Sequence, residues 1–294
     1  MSEAESLVAS PQYKSKMDEA GTLLTVDMPY VQAGWSQKFL AIGCAHIDNP
    51  HCRRDMLKDH LDEAKHQKAG IAFHGDTLDV MQGPGDRRAS KNALSDRTKT
   101  DSYFNAVVDD VYDFLEPYKA YILYMSLGNH ETAVIKHYGI DLLDILCKRL
   151  GCHYMGYAGF VRFKFEKPGG GGRSSKLLFF NHGAGGGGEV TKGTLNAQRQ
   201  AARLGHVDIV MGAHYHERWY MNLVKYRVLD SGRVDLFTQH TFRSSAYKDE
   251  HADLRRGYQV ENDRPPKPLG GWWWEFKYND RERGNVGFNF SLAN

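Results

Sequence analysis

Between residues 38 and 216 the chain alternates short apolar runs with amphipathic stretches. Phe39-Leu40-Ala41-Ile42-Gly43-Cys44 is an unbroken apolar run closed by polar residues, the pattern of a parallel strand buried on both faces. Residues 53–68 put Leu57, Leu61 and Ala64 on one face with Gly70 as a stop, which predicts a helix, and Ile71-Ala72-Phe73-His74 predicts the next strand. Residues 101–115 carry Phe104, Val107, Val108, Val111, Phe114 and Leu115 on one stripe and predict the clearest amphipathic helix. A third strand over 121–127 and a helix over 142–150 extend the order to β-α-β-α-β-α, a parallel half-sheet. Beyond Cys152 the pattern predicts a hairpin (159–166 with 176–180), a helix near 194–204 and a strand at 207–211. A second hairpin (219–242) and a strand pair (272–292) complete the chain. Residues 1–35, with Pro11, Pro29, Gly34 and no sustained period, predict a loosely packed N-terminal arm. Residues 36–294 contain no repeat or composition break and are read as a single domain.

Composition narrows the class. A chain of 294 residues with 41% hydrophobic and 25% charged residues can bury a full core, which excludes disordered, collagenous and coiled-coil chains. The 38 basic against 36 acidic residues leave a formal charge of +2, so a polyanion would need a local patch. The acidic start Met1-Ser2-Glu3-Ala4-Glu5 has no leader pattern and no stretch is apolar enough to span a bilayer, so a cytoplasmic location without a membrane partner is expected. Cys44, Cys52, Cys147 and Cys152 form no CxxC pair, so free thiols are expected, the last three as packing residues.

Chemistry concentrates where the predicted strands end. Cys44-Ala45-His46, Gly75-Asp76, Gly128-Asn129-His130-Glu131, Asn181-His182-Gly183 and Gly212-Ala213-His214-Tyr215-His216 each follow an apolar strand. In open α/β sheets the carboxyl ends of strands line one crevice, so turns scattered in sequence can converge. Carboxylate, amide, thiol and several imidazoles together suit a two-metal hydrolase site, whose ions need one shared carboxylate; Asp76 is the natural bridge. An incompletely neutralised metal pair suits a phosphate ester, and His130 is free to act as an acid.

These blocks, in this order, resemble the calcineurin-like metallophosphoesterase family, with its D-x-H, G-D, G-N-H-[DE], lone H and G-H-x-H motifs, over residues 39–216. The resemblance implies an α/β fold of two mixed β-sheets packed as a sandwich with helices on the outer faces, a four-layer αββα arrangement. It implies two divalent or trivalent ions (zinc, iron or manganese). The first would be held by Cys44, His46, Asp76 and His216, the second by Asp76, Asn129, His182 and His214, with His130 as the catalytic histidine. Two departures stand out: Ala213 replaces a glycine, and Cys44 replaces the first aspartate. A thiolate there favours zinc or iron over magnesium or manganese.

The activity expected is attack on phosphorus by a metal-bridging hydroxide, with a phosphodiester of a nucleic acid or nucleotide as substrate. The protein-phosphatase Arg-Gly after the Gly75–Asp79 block is missing, and the loop bearing Arg87, Arg88, Lys91, Arg97 and Lys99 suits more than one phosphate. Arg87, Arg88 and Lys91 are accordingly the candidate substrate-binding residues, against the alternative of a solvated loop. The alternatives to a diesterase are a phosphomonoesterase with the same site and a metal-poor, non-catalytic binding subunit in which Cys44 marks a decayed site. The Gly185–Gly188 run is either a phosphate cradle or a flexible loop, and Trp272-Trp273-Trp274 is read as core packing at a sheet edge rather than a base-stacking platform. The oligomeric state is not legible.

Overall fold

The computed structural model describes residues 13–82, 94–229, 231–252, 254–255 and 258–294. Two mixed sheets pack face to face. The six-stranded sheet has at its centre β3 (Ser36–Ile42), β4 (Gly70–His74), β5 (Ile122–Ser126) and β6 (His153–Met155), all parallel, and is completed by β12 (Gly271–Tyr278) and β13 (Val286–Ala293) in the order β13-β12-β3-β4-β5-β6. The seven-stranded sheet orders β1 (Lys14–Met17), β2 (Leu23–Met28), β7 (Ala158–Glu166), β8 (Arg173–Asn181), β9 (Ile209–Gly212), β11 (Val234–Arg243) and β10 (Trp219–Val228).

Strand periodicity sorts the two cores. In β3, Phe39 and Ala41 face the other sheet, joining Val26, Phe163, Phe180 and Trp274, while Leu40 and Ile42 face the helices. That outer layer comprises α1 (Arg54–His66), α2 (Tyr103–Leu115), α3 (Asn129–Tyr138) and α4 (Leu142–Leu150), which bury Leu57, Leu61, Val107, Val111, Val134, Leu143 and Leu146. On the far side the helix α5 (Thr194–Arg203) lies against β10, whose Lys225 donates to the carbonyls of Ala201 and Leu204 at the helix end. A four-residue helix, α6 (Tyr258–Glu261), precedes β12. The layers are therefore helix, sheet, sheet, helix.

Three expectations are corrected. Residues 14–28 are not a loose arm: β2 pairs in parallel with β7 and buries Leu24, Val26 and Met28, a two-residue period that its short length hid in the sequence. The helix α3 was not foreseen, because its first turn, Asn129-His130-Glu131-Thr132, is polar and reads as loop. Trp272-Trp273-Trp274 does lie in the core, but β12 is interior, hydrogen-bonded to β3 on one side and β13 on the other, and not at an edge.

Candidate metal centre

The parallel strands β3, β4 and β5 of one sheet and β8, β9 and β11 of the other carry the site-forming turns at their carboxyl ends. Cys44 and His46 follow β3, Asp76 follows β4, Asn129 and His130 open α3 after β5, His182 follows β8, and His214 and His216 follow β9. These turns are bent sharply. Among the twelve described non-glycine residues with positive φ, five are Cys44, His46, Asp76, His214 and His216. L-residues adopt that region at a cost, and such strain gathers at functional sites where the surrounding fold enforces it. Two glycines permit the closeness: a Cβ on Gly128 would fall on the carboxylate and amide of Asp76, and one on Gly75 on the ring of His182.

Three groups of side chains among the described residues bring possible ligand atoms within 4.8 Å of one another: Cys44 with His46 and His216, Cys44 with Asp76 and His182, and His46 with Asp79 and His130. Cys44, fully buried, thus belongs to two of them, and its Sγ accepts from the amide of His214 at 3.2 Å. Nε2 of His46 and Nε2 of His216 face each other at 3.3 Å. Two nitrogens about 2.0–2.1 Å from one tetrahedral zinc stand about 3.3 Å apart, so the donor pair fits an ion. Asp76 Oδ2 lies 3.0 Å from His182 Nε2, while His182 Nδ1 donates to the His74 carbonyl at 2.9 Å. Asn129 Oδ1 is 2.8 Å from His214 Nδ1 and 3.2 Å from His182 Nε2, and His214 Nε2 donates to the Gly185 carbonyl at 3.1 Å. His182 Nε2 and His214 Nδ1 are therefore the ring nitrogens turned toward Asn129. These donors are a nitrogen, oxygen and sulfur set that could hold a metal ion.

Electrostatics follow from burial and neighbours. Burial works to raise the Asp76 carboxyl, but the imidazoles of His182 and His130 hold it well below the usual carboxylate range. Burial lowers His46, His214 and His216, which keeps them in the neutral form that ligation requires. His182 is raised: burial opposes its charge, and Asp76 outweighs it. Burial, with Asp76 adding to it, pushes the Cys44 thiol well up.

Several residues with no role assigned from sequence support this centre. Asp79, 2% exposed, sets Oδ1 2.9 Å from His46 Nδ1, accepts from Asn49 at 2.8 Å and faces Lys248 at 3.4 Å. Its carbonyl accepts from His130 Nδ1 at 2.6 Å, so Nε2 is the ring nitrogen of His130 left toward Asp76, 3.9 Å away. Glu131 accepts the amides of Asp76, Leu78 and Gly128 at 2.9–3.1 Å, tying the turn after β4 to the start of α3; burial and then Asp76 push it up to about 7. Asp48 accepts the amides of Asp79 and Val80, and burial and the Asp79 charge push it up to about 6. Arg243, at the end of β11 and 3% exposed, donates to the Ala213 carbonyl at 2.8 Å and lies over the Tyr215 ring. Glu131 was marked in sequence as the last residue of the G-N-H-[DE] block though given no role, and only the three-residue spacing from Asp76 could have marked Asp79.

The remaining sequence expectations divide. Arg87, Arg88 and Lys91 lie outside the described residues. Arg97 is engaged by Asp110 at 3.1 Å and Lys99 by Asp96 at 2.9 Å. In the glycine-rich loop the carbonyls of Gly183, Ala184 and Gly185 accept from Tyr157, Tyr215 and His214, which makes the loop a wall of the site. No described helix is long and apolar enough to cross a membrane.

No protein-family profile matches the chain, and no curated protein matches it. Among solved structures the chain is similar to a conserved predicted phosphoesterase of Streptococcus pneumoniae TIGR4, at 10% identity over 89% of this chain and 92% of that one, with a TM-score of 0.30. It is also similar to Vps29 of Chaetomium thermophilum, at 12% identity over 87% and 95%, TM-score 0.36. A third is GAP50, the anchor in the inner membrane complex of Plasmodium, at 10% identity over 88% and 85%, TM-score 0.40.

Proposed function

We propose that this chain is a metal-dependent phosphoesterase of the calcineurin-like kind, with a diester of a nucleic acid or nucleotide as its preferred substrate class. The observation that carries the reading is the convergence of five separate turns on one buried cluster in which Cys44 is common to two metal-sized groups. Cys44, His46 and His216 would hold one ion, and His182, Asn129 and His214 the other, with Asp76 between. Bound there, the ions would polarise the phosphate and activate water. Asp76 supplies the shared anion, further fixed by the His130 amide, which donates to its Oδ1 at 3.0 Å at the head of α3. With Nδ1–H committed to the Asp79 carbonyl, it is the imidazolium form of His130 that would give the proton of Nε2 to the leaving oxygen, returning to the neutral ring that keeps its Nδ1–H.

Metal analysis of the purified protein, beside hydrolysis of a generic aryl phosphodiester and the matching monoester, tests this. The expected result is zinc or iron bound and faster diester cleavage. Faster monoester cleavage makes it a phosphatase with the same site, and absence of both metal and hydrolysis makes it a binding subunit. Asp76→Ala should abolish turnover and lower metal at both positions; two tightly held ions with near-normal turnover in that variant would overturn the shared-anion role. His130→Ala should keep the metals and lower kcat by roughly 10² to 10⁴.

A further inference from the structure

The β10–β11 hairpin closes one edge of the seven-stranded sheet and runs on past the sheet that covers it. At its base Tyr220 and Phe242, opposed across the ladder, pack on β13: the Tyr220 and Phe290 ring centres are 4.3 Å apart, and those of Phe242 and Phe290 5.0 Å. Alternate residues of a strand share a face, so the same surface continues outward through Val224 opposite Thr238, Tyr226 opposite Leu236, and Val228 opposite Val234. There the core covering stops, and the five apolar residues are between 59% and 80% exposed. Lys225, Arg227 and Asp235 occupy intervening positions and project from the opposite face, where Lys225 caps α5 and Arg227 pairs with Asp235 at 3.4 Å. The apolar face thus carries no charge at its centre. It leaves on the order of 500 Å² of contiguous apolar surface in water, the upper end of what a lone soluble chain shows.

We propose that this face binds the same face of a second copy, making the protein a two-fold dimer joined through its β10–β11 hairpins. A two-fold contact sets a patch against itself, and that suits an uncharged aliphatic surface around one tyrosine because no ion is buried when the patch meets its twin. Pairing would bury on the order of 1,000 Å² of apolar surface from the two copies, about the least that a specific interface needs.

Sedimentation velocity on the full chain, from low micromolar to about 100 μM, should resolve a dimer with a micromolar dissociation constant. Tyr226→Lys with Leu236→Lys should raise that constant roughly 30-fold or more, as truncation of interface anchors does. Both side chains are exposed, so metal content should stay as in the unaltered chain, and so should the melting temperature when measured below the dissociation constant, where no dimer adds stability. A chain that is monomeric throughout the range overturns the proposal and leaves the face to an unlike partner. A dimer indifferent to the double substitution overturns it equally, since the copies then meet elsewhere.

Discussion

Replacing Asp79 with Asn separates a residue that positions a ligand from one that is a ligand. Asparagine keeps the volume and one acceptor oxygen but removes the charge facing His46 Nδ1 at 2.9 Å and Lys248 at 3.4 Å. Lys248, 9% exposed, would keep Glu250 at 3.3 Å, so its charge is not left alone. Breaking a buried pair costs about 3–5 kcal/mol. Here Glu250 remains, and Asp48 is relieved of the charge that helps push it up to about 6. The expected loss of stability is therefore smaller, about 1–3 kcal/mol. The effect on metal is more specific, because partners of ligating imidazoles are typically worth 10–100-fold in affinity. Zinc competition against a chelator should show one position weakened by roughly that factor, the one built on His46 and His216, with the His182 position little changed. Two results refute the reasoning: equal weakening at both positions, which would make Asp79 a general scaffold, or complete loss of one ion, which would make it a direct ligand.

Gly128→Ala should drive a methyl group into Asp76, lowering metal content at both positions and stability by about 1–3 kcal/mol, read by metal analysis and thermal unfolding; normal metal content would show that the turn can yield. Cys44→Asp should raise manganese-supported turnover by supplying a harder donor, and Cys44→Ser should lower occupancy beside His46 and His216. X-ray absorption of the zinc-loaded unaltered protein should show a metal–sulfur distance near about 2.3 Å, and its absence would make Cys44 a packing residue. His240, lowered to about 4 chiefly by burial beside Tyr220 and Phe288, stays neutral in the fold where the unfolded chain binds a proton. Its contribution is whole above pH about 6.5 and is lost as pH falls toward the folded value. Discounted for partial exposure, it amounts to on the order of 1 kcal/mol at pH 5. Urea unfolding of His240→Gln at pH 7 and pH 5 should show a shallower acid dependence than the unaltered chain, and an equal slope would refute it.

Apart from α3 and the three-residue β6, the order of strands and helices from residue 39 to residue 216 was legible because each of the other elements is long or apolar enough to carry its own period; α4, expected over 142–150, occupies those residues. The five ligand-bearing turns were legible for a related reason: each abuts a strand end, and strand ends are where apolar runs stop. Local pattern reached no further. Asp79 is an ordinary acidic residue in sequence and Glu131 only the last position of a motif with no stated role; both acquire their contacts only because β3, β4 and β5 lie side by side, which brings the turn after β4 against His46 on one side and Gly128 on the other. Likewise Cys44 meets His216 only because β9, more than 160 residues away, packs its following turn against the turn after β3, and it meets His182 only because the turn after β8 is brought to the same place. The interior place of β12 and the uncovered face of the β10–β11 hairpin were decided in the same way, by which strands pair and where the covering sheet ends. Sequence periodicity states which residues seek burial; whether a given face finds cover depends on contacts between distant segments, and those are fixed only when the two sheets close on each other.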